Sequence, residues 1–426
     1  MDDVRSVVAA LTRIGEGRDD VERIDLIRAV EELKCAAEGA QAALTAAFDR
    51  SQREAEAAAG VPVERRGRGV AAQVALARRE SPHRGRQHLG LALALRDELP
   101  CTRAALAAGR ITEWRATLVA RETACLSRED RLEVDRRVAG DVDDLEALGD
   151  GELVGRVREV AYELDPASWV ERRRRAEAER RVSLRPAPDT MAHLSALVPV
   201  KDGVAEWAVL SREADLRKAA GDERSRGQIM ADTLVSRVLG SADVPRPGLT
   251  IHVVVSDSVL LGDENGSGWV EHYGPVPGEL LRARSAENAE AGVEQWVRRL
   301  YATPATGALV AMDSVGRRFE GRLAEFLRLR DQRCRTAWCD APVRHLDHVV
   351  DHATGGPTSA ANAQGLCEAC NHAKQARGWA ARPRPGPRHT VETITPTGHA
   401  YVASAPASTV AERGLRIALD RYVLTS

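Results

Sequence analysis

DQRCRTAWCDAPVRHLDHVVDHATGGPTSAANAQGLCEACNHAKQARGW, residues 331–379, decides how this chain is read. It holds Cys334, Cys339, Cys367 and Cys370, four of the seven cysteines, and His345, His348, His352 and His372, four of the eleven histidines. The cysteines form two knuckles, C-x4-C and C-x2-C, that bracket Asp347-His348, a Gly-Gly-Pro turn and Asn362. Asn371 follows the last cysteine.

Paired knuckles with this spacing deliver four sulfurs to one tetrahedral ion, and Zn²⁺ takes such a set at about 2.3 Å. The alternative is four reduced structural cysteines that bind nothing. Four thiolates fill the coordination sphere, so a zinc ion here is structural and not catalytic. A segment this small and this poor in apolar side chains needs such a staple to fold.

Between the knuckles, HLDHVV alternates and is β-branched, which predicts a short strand with His348 near its end. Gly355-Gly356-Pro357 supplies conformational freedom followed by a fixed φ, as a tight loop requires. Asn362–Leu366 reads as the returning strand. NHAKQAR opens a helix that Gly378 stops. The product is a β-β-α unit clamped by a metal.

This arrangement closely resembles the HNH endonucleases, whose finger is a zinc-ribbon-stabilised ββα-metal fold. The resemblance implies His348 as the general base that activates water. It implies Asp347 and Asn371 as ligands of a catalytic Mg²⁺ or Mn²⁺, and Asn362 as the brace of the loop. The third motif position is Asn rather than His, an H-N-N variant, and His372 lies one residue off register. An oxygen-donating amide suits Mg²⁺. The chemistry is coherent in its own right: an imidazole with an ordinary pKa near about 6.5 can take a proton from water at neutral pH. A cation then offsets the charge that builds on the phosphate. Lys374, three residues after Asn371 and on the same helix face, and Arg377 are the expected phosphate contacts, with an ion-paired Lys374 as the alternative.

Composition frames the rest. A chain of 426 residues predicts two or three domains. Aromatic residues make up only 4%, so Ala, Leu and Val must fill the core, which favours close-packed helices. A net charge of −2 argues against a generally basic, nucleic-acid-coating protein, so nucleic-acid contact must be local. The start, Met-Asp-Asp, carries neither a basic region nor an apolar run, and no stretch approaches membrane-span length. The expectation is a soluble, cytoplasmic protein with DNA as its partner, RNA not being excluded.

Upstream, residues 3–14 read as a short amphipathic helix and Val21 to Ala59 as a long one. Leu26, Val30, Leu33, Ala37, Ala40, Leu44 and Phe48 recur on it in the manner of a coiled-coil seam. Helices follow on both sides of Ser81-Pro82-His83, and an ordinary helical hairpin is preferred there over a helix-turn-helix. Further helices lie around Gly109, from Ser127 and from Gly151. WVERRRRAEAERR, to Arg181, reads as a solvated charged helix or linker. Residues 182–256 change pattern to a hairpin, two helices and a buried strand in LTIHVVVSDSVLLG. Next come a flexible turn at 262–268, a GPVP turn leading into a helix, a hairpin with a Pro-Ala-Thr-Gly turn at 304–307 and a helix into Cys334. RPRPGPRH reads as a basic linker, TVETITPTGHAYVAS as a hairpin and Val410–Leu419 as a terminal helix. In order and content this layout is similar to actinobacterial and mycobacteriophage-associated HNH proteins with a long helical domain of unknown function ahead of the nuclease.

The expected fold is therefore mainly α with a small α+β layer and a C-terminal zinc-stabilised ββα-metal finger. The expected domains are 1–181 helical, 182–320 α+β, 321–380 the finger, and 381–426 linker and tail. The expected function is metal-dependent DNA cleavage. A non-catalytic, zinc-stabilised nucleic-acid-binding module is the alternative.

Overall fold

A computed structural model describes residues 2–167, 174, 176–239, 253–256, 259, 266–270, 273–290, 295–300, 319–406 and 416–422. The fold is mainly helical with small antiparallel sheets, and it divides into two compact units, 1–173 and 174–426. No described helix is long and apolar enough to cross a membrane.

The first unit is built from α1 (Asp2–Leu11), α2 (Asp20–Ala58), α3 (Val70–Arg78), α4 (Pro82–Asp97), α5 (Pro100–Ala107), α6 (Glu113–Glu122), α7 (Arg128–Ala139), α8 (Val142–Ala147) and α9 (Asp150–Leu164). Its starts follow capping chemistry. Asp19, Ser81, Thr112 and Ser127 each accept a hydrogen bond from a first-turn backbone N–H. Where α5 lacks a cap of its own, the fully buried Asp135 of α7 accepts from Cys101 N (2.6 Å), Thr102 N (3.0 Å) and Thr102 Oγ1 (2.5 Å). Leu95, Leu99, Leu106, Val119, Leu145, Leu153 and Val157 form the core around it.

The face that α2 turns to this core is not the expected seam. Cys35, Gly39, Ala42, Thr45, Ala46 and Asp49 are buried, whereas Leu44 is 70% exposed. The reason is close approach: a Cβ on Gly39 would lie 3.0 Å from Ala107 Cα, so small residues and not large ones mark the packed side. Ser81-Pro82 starts α4 against α3 as a helical hairpin, and a Cβ on Gly85 would collide with Ala71 O and Ala75. Of the charged stretch 169–181, residues 169–173 and 175 lie outside the described residues.

In the second unit, β1 (Arg181–Pro186) and β2 (Ala192–Leu197) form the expected hairpin, followed by α10 (Val200–Ala219) and α11 (Arg226–Leu239), which pack on each other. Next come β3 (Val253–Ser256), β4 (Ser267–Val270), β5 (Gly274–Pro277), α12 (Gly278–Glu290) and β6 (Gln295–Leu300). GPVP is thus a strand, β5, paired with β4, and not a turn. The hairpin turn expected at 304–307 and the arm after it lie outside the described residues.

Continuing, α13 (Gly321–Asp331), β7 (His345–His348), β8 (Ala363–Leu366) and α14 (Glu368–Lys374) build the finger. RPRPGPRH is not a free linker: β9 (Ala380–Arg384) forms the edge of a three-stranded sheet with β10 (Thr390–Ile394) and β11 (Ala400–Ser404). An edge tolerates Pro383, which has no N–H to give. The expected terminal helix is also overturned. Arg416–Tyr422 is a strand, β12, between β3 and β6 in the sheet β5-β4-β3-β12-β6. The strand RIALDRY pairs with both neighbours, and that ladder outweighs the helical reading.

Candidate functional site

The finger starts from a buried ionic anchor. At the end of α13, Asp331 is fully buried and accepts from Gly365 N at 2.7 Å in β8. Arg330 donates to Asp331 and to the carbonyls of Ala360 and Ala363, at 2.5 and 2.7 Å. Leu323 and Leu327 of α13 pack against Ala360 and Ala363. Arg335 reaches the other way, to Ser404 O (2.5 Å), Ala403 O (2.7 Å) and His389 O (3.3 Å), which fastens the β9–β11 sheet to the finger. Burial holds the Arg335 guanidinium below its usual pKa.

Beside this anchor the four cysteines come together. All four are buried and their Sγ atoms lie within 4.8 Å of one another, with Cys339 and Cys367 3.7 Å apart. A tetrahedral zinc with sulfurs at about 2.3 Å requires sulfurs about 3.8 Å apart. The cage can hold a structural metal such as zinc. Hydrogen bonds from the neighbouring thiols, Cys339 onto Cys334 and Cys334 onto Cys367, lower these two sulfurs, while hydrogen bonds to Cys334 raise Cys339 and Cys370. A cation is what lets all four shed their protons together. Cys367 also caps α14, its sulfur accepting from Cys370 N at 3.4 Å.

The hairpin above the cage pairs His345 with Leu366, Asp347 with Gln364 and His348 with Ala363. At its end Asn362 makes the expected brace. Its Oδ1 accepts from Val350 N (2.9 Å), and its Nδ2 donates to Val350 O (2.9 Å) and Pro357 O (2.9 Å). The loop can pass so close only because residue 356 is glycine: a Cβ there would lie 1.9 Å from Val350 O. Gly355 adds a φ of 92°.

His348 is buried at the end of β7, its ring 4.5 Å from Phe319 and 5.4 Å from His352, with Nε2 2.9 Å from Thr358 Oγ1. Burial holds its pKa below the ordinary histidine value, so the ring is neutral at neutral pH.

Asp347 is met by Lys374 from α14. The Lys374 ammonium donates to Asp347 Oδ2 (2.8 Å), His348 O (2.6 Å) and Asp351 Oδ1 (2.7 Å). The ion-paired alternative for Lys374 therefore describes it, and its side chain is only 9% exposed. Arg377 is exposed beyond α14. Asn371 Oδ1 is buried and accepts no hydrogen bond. A carboxylate and an unsatisfied amide oxygen are donors of the kind a hard divalent cation takes. His372 is exposed, its ring 6.5 Å from that of the equally exposed His345. Sequence reasoning did not single out Thr358, Phe319, Asp351 or the Arg330–Asp331–Arg335 anchor. Only the Arg-Asp pair next to Cys334 offered a signal.

A family model described as a domain of unknown function, DUF222, matches residues 27–331. The chain belongs to this family. The DUF222 match runs through the helical unit and on to the end of α13, stopping just ahead of the cysteine cage. The upstream region expected as a helical domain of unknown function is thus the DUF222 domain. Neither a curated protein nor a solved structure matches the chain.

Proposed function

We propose that this chain is a metal-dependent HNH-type endonuclease that hydrolyses DNA phosphodiester bonds. The observation that carries the reading is that one cysteine-caged β-β-α unit holds a neutral, buried His348 on its strand and the unsatisfied Oδ1 of Asn371 on its helix. In the proposed tautomer His348 Nε2–H donates to Thr358 Oγ1, 2.9 Å away, and the lone pair stands on Nδ1. That nitrogen takes a proton from water. The water oxygen bonds to phosphorus, and the bond from phosphorus to the leaving ribose oxygen breaks. Asp347 and Asn371 hold the divalent cation, Mg²⁺ or Mn²⁺. When bound, it supplies charge neutralisation at the phosphate and the leaving oxygen. Asn362 holds the loop so that His348 and Asp347 keep their positions, and the caged zinc holds the knuckles. The DUF222 domain then selects the target or a partner, because a small finger bound mainly to backbone carries little sequence information.

The test is cleavage by the full-length, zinc-loaded chain with Asn371→Ala beside it. Zinc content and DNA binding stay, while Mg²⁺-dependent cleavage falls by about 100-fold or more. Unchanged cleavage would move the ligand to His372. A second reading, a zinc-stabilised binding module that cuts nothing, is favoured by one observation: Lys374 already neutralises Asp347. DNA or RNA binding that weakens steeply with salt, without scission in Mg²⁺, is its signature.

A further inference from the structure

An ammonium group has three N–H donors, and Lys374 places all three on oxygen: Asp347 Oδ2, His348 O and Asp351 Oδ1. It is fully used by a set of ligands that a hard divalent cation would also take. One turn earlier on the same helix, Asn371 Oδ1 is buried and accepts no hydrogen bond, while the three N–H donors of Lys374 are all placed on other oxygens. A six-coordinate ion has places for all of these oxygens and for water besides. The two carboxylates and one ammonium leave a local charge of −1, short of what a divalent ion would neutralise.

We propose that Lys374 is a built-in competitor for the divalent cation: its ammonium fills the cation position, and metal enters by displacing it. The inference rests on the nuclease reading for the identity of the ligands and goes beyond it, because it assigns Lys374 a gating role. The lysine keeps the acidic pair closed until metal arrives, and then swings out into solvent, where a phosphate is its natural partner. Lys374 is a positioning residue in this scheme and takes no part in proton transfer.

The sequence makes the test convenient. Besides Lys374 the chain has only Lys34, Lys201 and Lys218, all exposed, which serve as internal references for amine acetylation read by mass spectrometry. In the zinc-loaded full chain, Lys374 should acetylate slowly without Mn²⁺ and at a rate approaching the other three when Mn²⁺ saturates. Mn²⁺ binding, followed by electron paramagnetic resonance, should be about tenfold tighter in Lys374→Met than in the wild type, and no tighter in Lys374→Arg. Equal or weaker affinity in Lys374→Met overturns the proposal, as does labelling that ignores Mn²⁺. If Lys374→Met fails to retain zinc, the wild-type labelling decides alone. Cleavage by the wild type together with labelling that ignores Mn²⁺ would sink the gate and spare the nuclease. No Mn²⁺ binding in any variant and no cleavage would sink both.

Discussion

At the scale of single residues, chemistry turns on which groups are satisfied and which are not. His348 packs its ring against Phe319, and burial lowers its pKa. A base must be unprotonated, so cleavage should fall as pH drops through that lowered value, with the acid limb centred below about 6.5. A pH profile of single-turnover cleavage checks this; a limb at or above pH 7 contradicts it. Asn362 is the opposite case, a side chain with every hydrogen bond made. Asn362→Ala should strip Val350 and Pro357 of their partners and cost about 1–3 kcal/mol of finger stability, read from hydrogen exchange in 349–357. The sequence singles out His348, Asp347, Asn362 and Asn371 through the resemblance to the HNH finger, which carries the proposed roles onto them. It hides Thr358 and the grip of Lys374 on Asp347 and Asp351, which depend on how the helix lies over the hairpin.

At the scale of elements, local pattern and long-range packing part company. Short strands on either side of Gly355-Gly356 are legible because alternation and turn chemistry are local. The packed side of α2 is not: apolar size marked Leu26, Val30 and Leu44, yet close approach selected Cys35, Gly39 and Ala42. The same holds at 416–419, the described part of the expected terminal helix, where strand pairing with β3 and β6 outweighed helix propensity. Two outcomes follow at this scale. Asp135→Ala should leave the first turn of α5 without its acceptor, and the amides of Cys101 and Thr102 should exchange markedly faster; unchanged exchange would show that water caps the helix instead. His389, between the finger and its sheet, has its pKa lowered to about 4, chiefly by burial, and its Nε2 lies 3.0 Å from Ala361 O. A depressed histidine favours the fold while neutral. Its contribution is therefore complete above about pH 6.5 and is lost as pH falls through about 4. The melting temperature of the wild type should drop across that window more steeply than that of His389→Gln, and parallel slopes would refute it.

At the scale of the whole molecule, a helical DUF222 domain leads into a compact caged finger, and the family match ends where the cage begins. The cage gives this region its fold. Cys367→Ser should release zinc and unfold residues 331–379, whereas a folded, zinc-loaded variant would show that the metal is dispensable. Under the proposed function, a net charge of −2 confines binding to a local patch and leaves target choice to the larger domain. The most direct measurement is cleavage of supercoiled plasmid in Mg²⁺ or Mn²⁺ by zinc-loaded wild type beside zinc-loaded His348→Ala. The account predicts nicking or linearisation by the wild type and a rate lower by about 100-fold or more in the variant. Equal cleavage by both, or none by either when both are folded and metal-loaded, would contradict it.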